Sequence, residues 1–354
     1  MKYMGMEYTK KELLAYAGNI QQLAGVTRTQ LTEGNGEGAH LIEVRNGSGL
    51  EFSVLESRCM DIYTMSYKGI PLNFLSKNGL FYPLRYLPTD AEDTQKHLTG
   101  GLLYTCGTTN VGRDCVEAGK KQVCHGRIKA MSATNTSARG VWRGDNYEME
   151  VYGEVRETTL FEENVALRRS IRTEFGIPVL RMTDVIENEG FAEQAFMYMY
   201  HLNLGFPLID EQTVICVSPS TITARDEEMK KYMHKYCKID KPEYPGHEVC
   251  LMHDFPEKKQ MVTGVINRKL GIGFYIKQDT HVMAYLHEWK TNIAGAYALG
   301  LEPANNHAEG RVREREHYKT LQTIKPFQKI VIEIEMGVIE GEQALAAFEA
   351  LYKT

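Results

Sequence analysis

Apolar and polar residues alternate with a period of two along much of the chain. Between positions 147 and 155, Tyr147, Met149, Val151 and Val155 fall on one side and Glu148, Glu150, Tyr152 and Glu154 on the other. That is the pattern of an antiparallel strand with one buried and one wet face. It recurs with Val165, Leu167 and Ile171 against Ala166, Arg168, Ser170 and Arg172, and with Ile330, Ile332, Ile334 and Met336 against Val331, Glu333 and Glu335. Further strands are predicted at 40–45, 50–55, 179–187, 195–201, 262–266, 272–276 and 282–286. Turn signals such as Asn46-Gly47-Ser48-Gly49 and Asn188-Glu189-Gly190 separate several of them. Helical patterns are few. Residues 10–17 follow the candidate N-cap Thr9, 226–236 are charged and amphipathic, and 342–352 are rich in Ala and Leu. So many strands beside so few helices predict an all-β fold, a large antiparallel β-sandwich with peripheral helices.

Length alone would suggest about two domains for 354 residues. No repeat, low-complexity tract or linker divides the chain, however. The expected organisation is an N-terminal helical extension over 1–25 and a single β-sandwich domain over 26–354. With 43% hydrophobic and 25% charged residues, the composition supports a full core. A net charge of −5 without a basic block argues against nucleic acid as a partner. No apolar run reaches about 18 residues, and the first residues lack the apolar stretch of a secretory signal, so no membrane partner and a cytoplasmic location are expected. The seven cysteines include no C-x-x-C pair, which fits free thiols in a reducing compartment.

Four segments can carry chemistry. In Tyr200-His201-Leu202-Asn203-Leu204-Gly205, His201 shares a strand face with Met197, Met199 and Asn203. A histidine held and partly desolvated in this way suits proton transfer near neutral pH. The alternative is a core histidine bonded to a backbone carbonyl. In Leu299-Gly300-Leu301-Glu302-Pro303, Glu302 ends an apolar strand, where burial would raise its proton affinity. It could equally cap the following loop. His125 and Arg127, in Cys124-His125-Gly126-Arg127, offer hydrogen-bond donors to a hydroxylated ligand. Arg58 and Asp61, in Ser57-Arg58-Cys59-Met60-Asp61, could bind a ligand or form a structural ion pair. No histidine spacing matches a metal-ligand pattern, and Cys124 lacks the surroundings of a nucleophile and is expected to be buried and inert. Phosphate-binding, dinucleotide and serine-hydrolase motifs are absent, so neither metal nor cofactor is expected.

Taken in order, these segments resemble the galactose mutarotase (aldose 1-epimerase) superfamily, and most nearly a poorly characterised bacterial branch of unknown function. The likeness runs from about Ile42 to Gly337. It is strongest over 167–208, where His201 stands in the region of the family's catalytic histidine. Leu301-Glu302-Pro303 stands where the family has its catalytic glutamate, and His125-Gly126 matches an earlier His-Gly element. The resemblance implies a β-sandwich with a sugar cleft on a concave face. It further implies that Glu302 takes the anomeric hydroxyl proton while His201 protonates the ring oxygen. The ring then opens, rotates about C1–C2 and closes to the other anomer. His125 and Arg127 would position the sugar with Arg58 and Asn203, and Trp289 could stack on a sugar face.

Two departures stand out. Thr99 precedes Gly100-Gly101 where members acting on hexose phosphates carry Arg, and the family's second sugar-contacting acid has no clear counterpart. Residues 1–25 and 225–236 look like branch-specific additions that cover the cleft or make an oligomer contact. The expected ligand is a small-molecule sugar, and the expected assembly is a homodimer formed through sheet faces or edges. Two other readings keep the same cleft. One is a sugar isomerase, epimerase or lyase acting at a carbon next to a carbonyl, and the other is a non-catalytic carbohydrate-binding protein.

Overall fold

In the computed structural model, which describes residues 1–82, 90–218, 220–255 and 259–352, the alternating segments become strands of three antiparallel sheets. The largest runs Thr134–Arg143, Asn146–Thr158, Asn164–Glu174, Val179–Asn188, Lys329–Glu340, Ile272–Asp279, Gln260–Asn267 and Val214–Cys216. Its register sets Val151 opposite Ile171 and Glu150 opposite Arg172. Each strand therefore turns its apolar set inward together. The outer face carries charge in cross-strand partners, such as Arg168 with Glu154 and Glu187, and Arg181 with Glu335. The more exposed Arg181–Glu335 pair contributes about 0–1 kcal/mol.

The second sheet runs Thr221–Ala224, Glu248–Asp254, Tyr285–Thr291, Ala298–Ala304, Gln194–Leu204 and Gln322–Ile324, and Leu103–Thr108 also pairs with Gln194–Leu204. The third is N-terminal, with Gly25–Gln30, His40–Arg45, Leu50–Leu55, Asp61–Tyr67 and Ile70–Pro71. One hydrophobic cluster draws on all three sheets, through Ile42, Val54 and Ile62, through Leu167, Met182 and Ile334, and through Tyr198, Tyr200 and Leu301. This bears out the predicted all-β sandwich. Among the described residues no helix is long and apolar enough to cross a membrane.

Within the core lies a charged knot. Arg169 and Asp184 occupy positions in the apolar phase of their strands, and both are fully buried. Arg169 donates to Asp184 through Nε at 2.8 Å and Nη2 at 2.7 Å. Its Nη1 reaches Thr105 Oγ1 at 3.0 Å and Asp61 Oδ1 at 3.2 Å. The hydroxyls of Tyr198 and Tyr200 both donate to Asp184 Oδ2, at 2.9 and 2.7 Å. The knot thus joins all three sheets. Asp61 takes Arg169 and Thr105 as partners, so the Arg58–Asp61 ion pair weighed from sequence is not the arrangement adopted. Glu157, also in an apolar phase and buried, accepts from Thr108 N, Thr108 Oγ1 and Thr109 Oγ1 and fixes the end of the Leu103–Thr108 strand.

Several expectations shift. Thr9 caps the helix Lys10–Tyr16 in a reciprocal pair with Glu12, and Glu342–Ala350 is helical. The segment predicted as a strand at 282–286 instead begins with a turn. Asp279 Oδ1 accepts from His281 N and Asp279 O from Met283 N, which delays the strand to Tyr285–Thr291. The 226–236 segment forms a 3₁₀ helix at Met229–Lys235. It packs on Ala224, Val249 and Leu251 on the core-facing side of the sheet, with Cys250 also in contact. Lys290 Nζ donates to the carbonyls of Lys235 and Lys238, with Glu288 neutralising it from within the sheet.

Removing one partner of the knot strands a buried charge. Asp184→Ala is expected to cost about 3–5 kcal/mol. Tyr200→Phe, which deletes one hydroxyl bonded to a carboxylate, is expected to cost about 1.5–3 kcal/mol. Urea unfolding midpoints check both values, and a Tyr200→Phe loss equal to that of Asp184→Ala would contradict this ordering.

Candidate active site

The face of the second sheet turned away from the core, where the family likeness implies a concave cleft, is built from the residues that alternate with the core set. Along Gln194–Leu204, Phe196, Tyr198, Tyr200 and Leu202 face the core, so His201 faces outward with Met197 and Met199. Tyr104 is the register partner of His201 on one side. On the other side the pairing of Met199 with Ala304 and Leu202 with Leu301 continues to set Glu302 opposite His201. Glu302 in turn faces His287, and Gly300 faces Trp289. Tyr104, His201, Glu302 and His287 thus form one row across four strands, with Trp289 in the next row.

His201 Nδ1 lies 3.2 Å from Glu302 Oε1, yet the two are oriented so that neither atom makes a hydrogen bond. Gly300 is what allows this placement, since a Cβ there would run into Glu302 Oε1. Trp289 stands edge-on to His201 with ring centroids 5.5 Å apart. His125 closes the other side, 5.8 Å from His201 and 6.5 Å from Tyr104. His125 has a left-handed backbone, φ +59°, which costs a non-glycine residue about 1–2 kcal/mol. The loop holds it there because Gly107 N donates to His125 O and His125 N to Gly112 O. Gly126, at φ +74°, lies against the backbone of Gly107 where no side chain fits.

Around this centre the remaining candidates divide. Arg58 lies over the Tyr104 ring at 4.5 Å and donates from Nε to the carbonyl of Lys129. Lys129 was not singled out from sequence. It is buried, donates to Cys124 O and Thr94 Oγ1, and is pulled down to about 8 by burial. Asn203 is spent on backbone, donating to Gly101 O and His201 O at 3.1 Å each, and so positions the strand. Arg127 is spent on Thr159 Oγ1 and Thr158 O at a neighbouring hairpin. Sequence reasoning passed over Tyr104 and the role of Gly300, whose places follow from strand register rather than from any local motif. Cys124 is buried and its thiol is pushed up by burial.

Electrostatically the centre is short of water. Burial drives the Glu302 carboxyl well above the usual carboxylate range, and Glu248 on the same face adds to the shift. Burial also pulls His201 and His287 down to about 4 each. For His287 the ring is fixed by a hydrogen bond of 2.8 Å between Nε2 and the carbonyl of Asn306. His125 is lowered too, by burial and then by His201. The favoured state is therefore neutral, with a proton on Glu302 and a free base at His201. Among the described residues no three His, Cys, Asp or Glu side chains converge as a metal site.

A family described as a domain of unknown function, DUF4432, matches residues 36–338. No curated protein matches the sequence. Among solved structures, a Klebsiella pneumoniae protein provisionally named an aldose 1-epimerase superposes with a TM-score of 0.85 at 18% identity, covering 94% of this chain and 89% of its own. A galactose mutarotase-like protein from Clostridium acetobutylicum gives 0.64 at 13% identity, covering 90% and 99%. A galactose 1-epimerase from Lactobacillus acidophilus gives 0.58 at 11%, covering 90% and 100%. At these identities the likeness concerns the fold.

The imidazole shifts can be read directly. In ¹⁵N-edited NMR, His201 and His287 are expected to stay neutral from pH 8 down to about 5 and to gain a proton only near about 4. Titration of both near 6.5, the value of a solvated imidazole, would show that the centre is wet.

Proposed function

The chain belongs to the DUF4432 family, and we propose that it is a cofactor-independent mutarotase of the aldose 1-epimerase kind, in which Glu302 and His201 interconvert the anomers of a sugar. The observation that carries this reading is the buried pair itself, with Nδ1 and Oε1 3.2 Å apart and neither engaged by another group. A carbohydrate-binding site has no need of an acid and a base left unsatisfied side by side, because each such group costs about 1–3 kcal/mol.

The chemistry follows from one proton shared by two atoms. With the proton on His201, Glu302 is a carboxylate that removes the anomeric hydroxyl proton as His201 delivers its own to the ring oxygen. The C1–O5 bond breaks and the free aldehyde forms. Glu302 now holds a proton and His201 is neutral, which is the arrangement burial favours. Rotation about C1–C2 presents the other face of the aldehyde to O5. Closure then runs the same transfers backwards and restores the first state. Both states have zero net charge, so the exchange avoids leaving an isolated charge in a site from which water is largely excluded. Roles diverge through environment, as in other paired acid–base sites.

Trp289 offers an apolar surface beside His201 for the C–H face of the ring. His287, whose Nε2 donates to the Asn306 carbonyl, keeps Nδ1 as an acceptor for a hydroxyl, and His125, whose Nδ1 accepts from Gly112 N at 3.4 Å, keeps its Nε2–H as a donor. Arg58, fixed over Tyr104, can donate to a further ring substituent. Arg127 is assigned to the margin of the sugar site and Asn203 to the alignment of His201, since both are held by backbone partners.

The pH profile follows from the directions of the two shifts. Below about 4, His201 and Glu302 are both protonated and no base remains. Above the raised value of Glu302 the proton leaves the pair and no acid remains. The catalysed rate is therefore expected to be bell-shaped, with its acid limb near about 4 and its basic limb at the raised Glu302 value. By polarimetry, Glu302→Gln and His201→Asn are each expected to lower the rate by about 10²–10⁴-fold. Gly300→Ala, which displaces the carboxyl without touching the core, is expected to lower it about 100-fold. Unchanged rates in Glu302→Gln and His201→Asn would remove the basis of this assignment.

A further inference from the structure

The concave face does not end at Trp289. The register continues from Trp289 to Cys250 on the next strand, and Arg225 N donates to Cys250 O on the strand after that. A neighbouring row continues from His287 to Met252 and Thr223. On Glu248–Asp254 the residues Val249, Leu251 and His253 are buried, while Glu248, Cys250, Met252 and Asp254 point to the concave side. Arg225 Nη1 lies 3.0 Å from Cys250 Sγ, and its Nη2 lies 3.2 Å from Glu248 Oε1. The side chains of Arg225 and Glu248 remain 32% and 42% exposed. The reacting pair is thus followed along one face by an aromatic surface, a half-buried apolar floor and an accessible donor–acceptor pair.

We propose that Arg225 and Glu248, over the floor of Trp289, Cys250 and Met252, form a second ring-binding subsite, and that the substrate is a reducing disaccharide rather than a free monosaccharide. This rests on the reading of Glu302 and His201 as the ring-opening pair. Cys250 stands two strands from Glu302, about 10 Å at ordinary strand spacing. That exceeds the span of one pyranose ring and fits two joined rings lying across the strands. The reducing ring occupies the Tyr104, His201, Glu302 and His287 row, and the second ring lies beyond Trp289.

The chemistry of the subsite selects a neutral polyol over an anionic sugar. Arg225 is accompanied by two carboxylates, Glu248 at 3.2 Å and Asp226 at 3.8 Å, so the local charge is negative. A phosphate or carboxylate on the second ring would meet repulsion there. Vicinal hydroxyls, by contrast, can accept from the guanidinium and donate to Glu248 at once. The half-buried Trp289, Cys250 and Met252 suit the C–H face of a sugar ring. Register from Glu302 and Gly300 through His287 and Trp289 to Met252 and Cys250 places the two subsites on one face of the sheet.

Calorimetric titration tests the subsite without relying on turnover. Wild-type protein and the Arg225→Ala and Glu248→Gln variants are titrated with maltose, cellobiose and lactose, and with glucose and galactose. At least one disaccharide is expected to bind about tenfold or more tightly than its constituent monosaccharides, and each variant is expected to bring that ratio close to one. The isosteric Glu248→Gln change separates loss of the subsite from misfolding. Equal affinity for one and two rings, or a preference that survives both substitutions, overturns the proposal. Anomer exchange, measured on the same samples, judges the first reading separately. Disaccharide preference without exchange contradicts the mutarotase assignment alone, and exchange with no preference for two rings contradicts the second subsite alone.

Discussion

The guanidinium of Arg169, enclosed between three sheets, is the point on which the geometry of the concave face depends. A cation in that position is tolerable only with its partners in place, because its transfer from water costs several kcal/mol unless repaid by ion pairing and hydrogen bonds. Asp184 supplies two charge-assisted bonds, and Asp61 and Thr105 supply the rest. Tyr198 and Tyr200 are drawn to the same carboxylate. Since these tyrosines flank the outward positions of their strand, holding them from below holds His201 and Met199 from above. Thr105 does the same for Tyr104 on the neighbouring strand. The row is therefore aligned from the core, and His201 Nδ1 and Glu302 Oε1 within it remain free of hydrogen bonds.

That arrangement also explains what could be read in advance. The two-residue period identified six of the eight strands of the largest sheet, where a core face alternates with a more polar one, but not Thr134–Arg143 or Val214–Cys216. Arg169 and Asp184 break that period: they fall in the slots of Val165, Leu167 and Ile171 and of Leu180, Met182 and Ile186. A charge in an apolar slot was visible in the sequence, but which carboxylate meets which cation depends on register. The same limit applies to the site. His201 and Glu302 stood out through their own surroundings and through family likeness, whereas Tyr104 and Gly300 acquire meaning only when their strands pair. The 282–286 segment misled because Val282, Ala284 and Leu286 alternate while Asp279 turns the backbone. Asn203 and Arg127 were legible as polar groups near a histidine, but their hydrogen bonds go to backbone.

The two faces of the strand Tyr285–Thr291 show how one sheet serves both purposes. Leu286, Glu288 and Lys290 point toward the core and the 3₁₀ helix behind it, where Glu288 bonds His253 and Lys290 caps carbonyls. His287 and Trp289 point to the open side. On the rear, Glu288 lies 2.7 Å from Lys290 and 3.0 Å from His253, so the charges there are paired with one another. Those on the front are left with their protonation displaced by burial. The front carries the close His201–Glu302 approach, and the proposed chemistry is assigned there. The fold alone, shared with the Klebsiella, Clostridium and Lactobacillus proteins, would not decide that.

The central claim is that the protein moves protons between oxygen atoms and leaves carbon-bound hydrogen untouched. Its most direct test is one-dimensional exchange NMR of reducing sugars in D₂O with wild-type protein, reading anomer interconversion and carbon deuteration in the same spectra. The account predicts saturation transfer between the two anomeric protons, faster than in buffer, with no loss of C1 or C2 proton intensity. Deuterium at C2, or an anomer exchange rate no faster than that of buffer alone across the sugars tried, would contradict it.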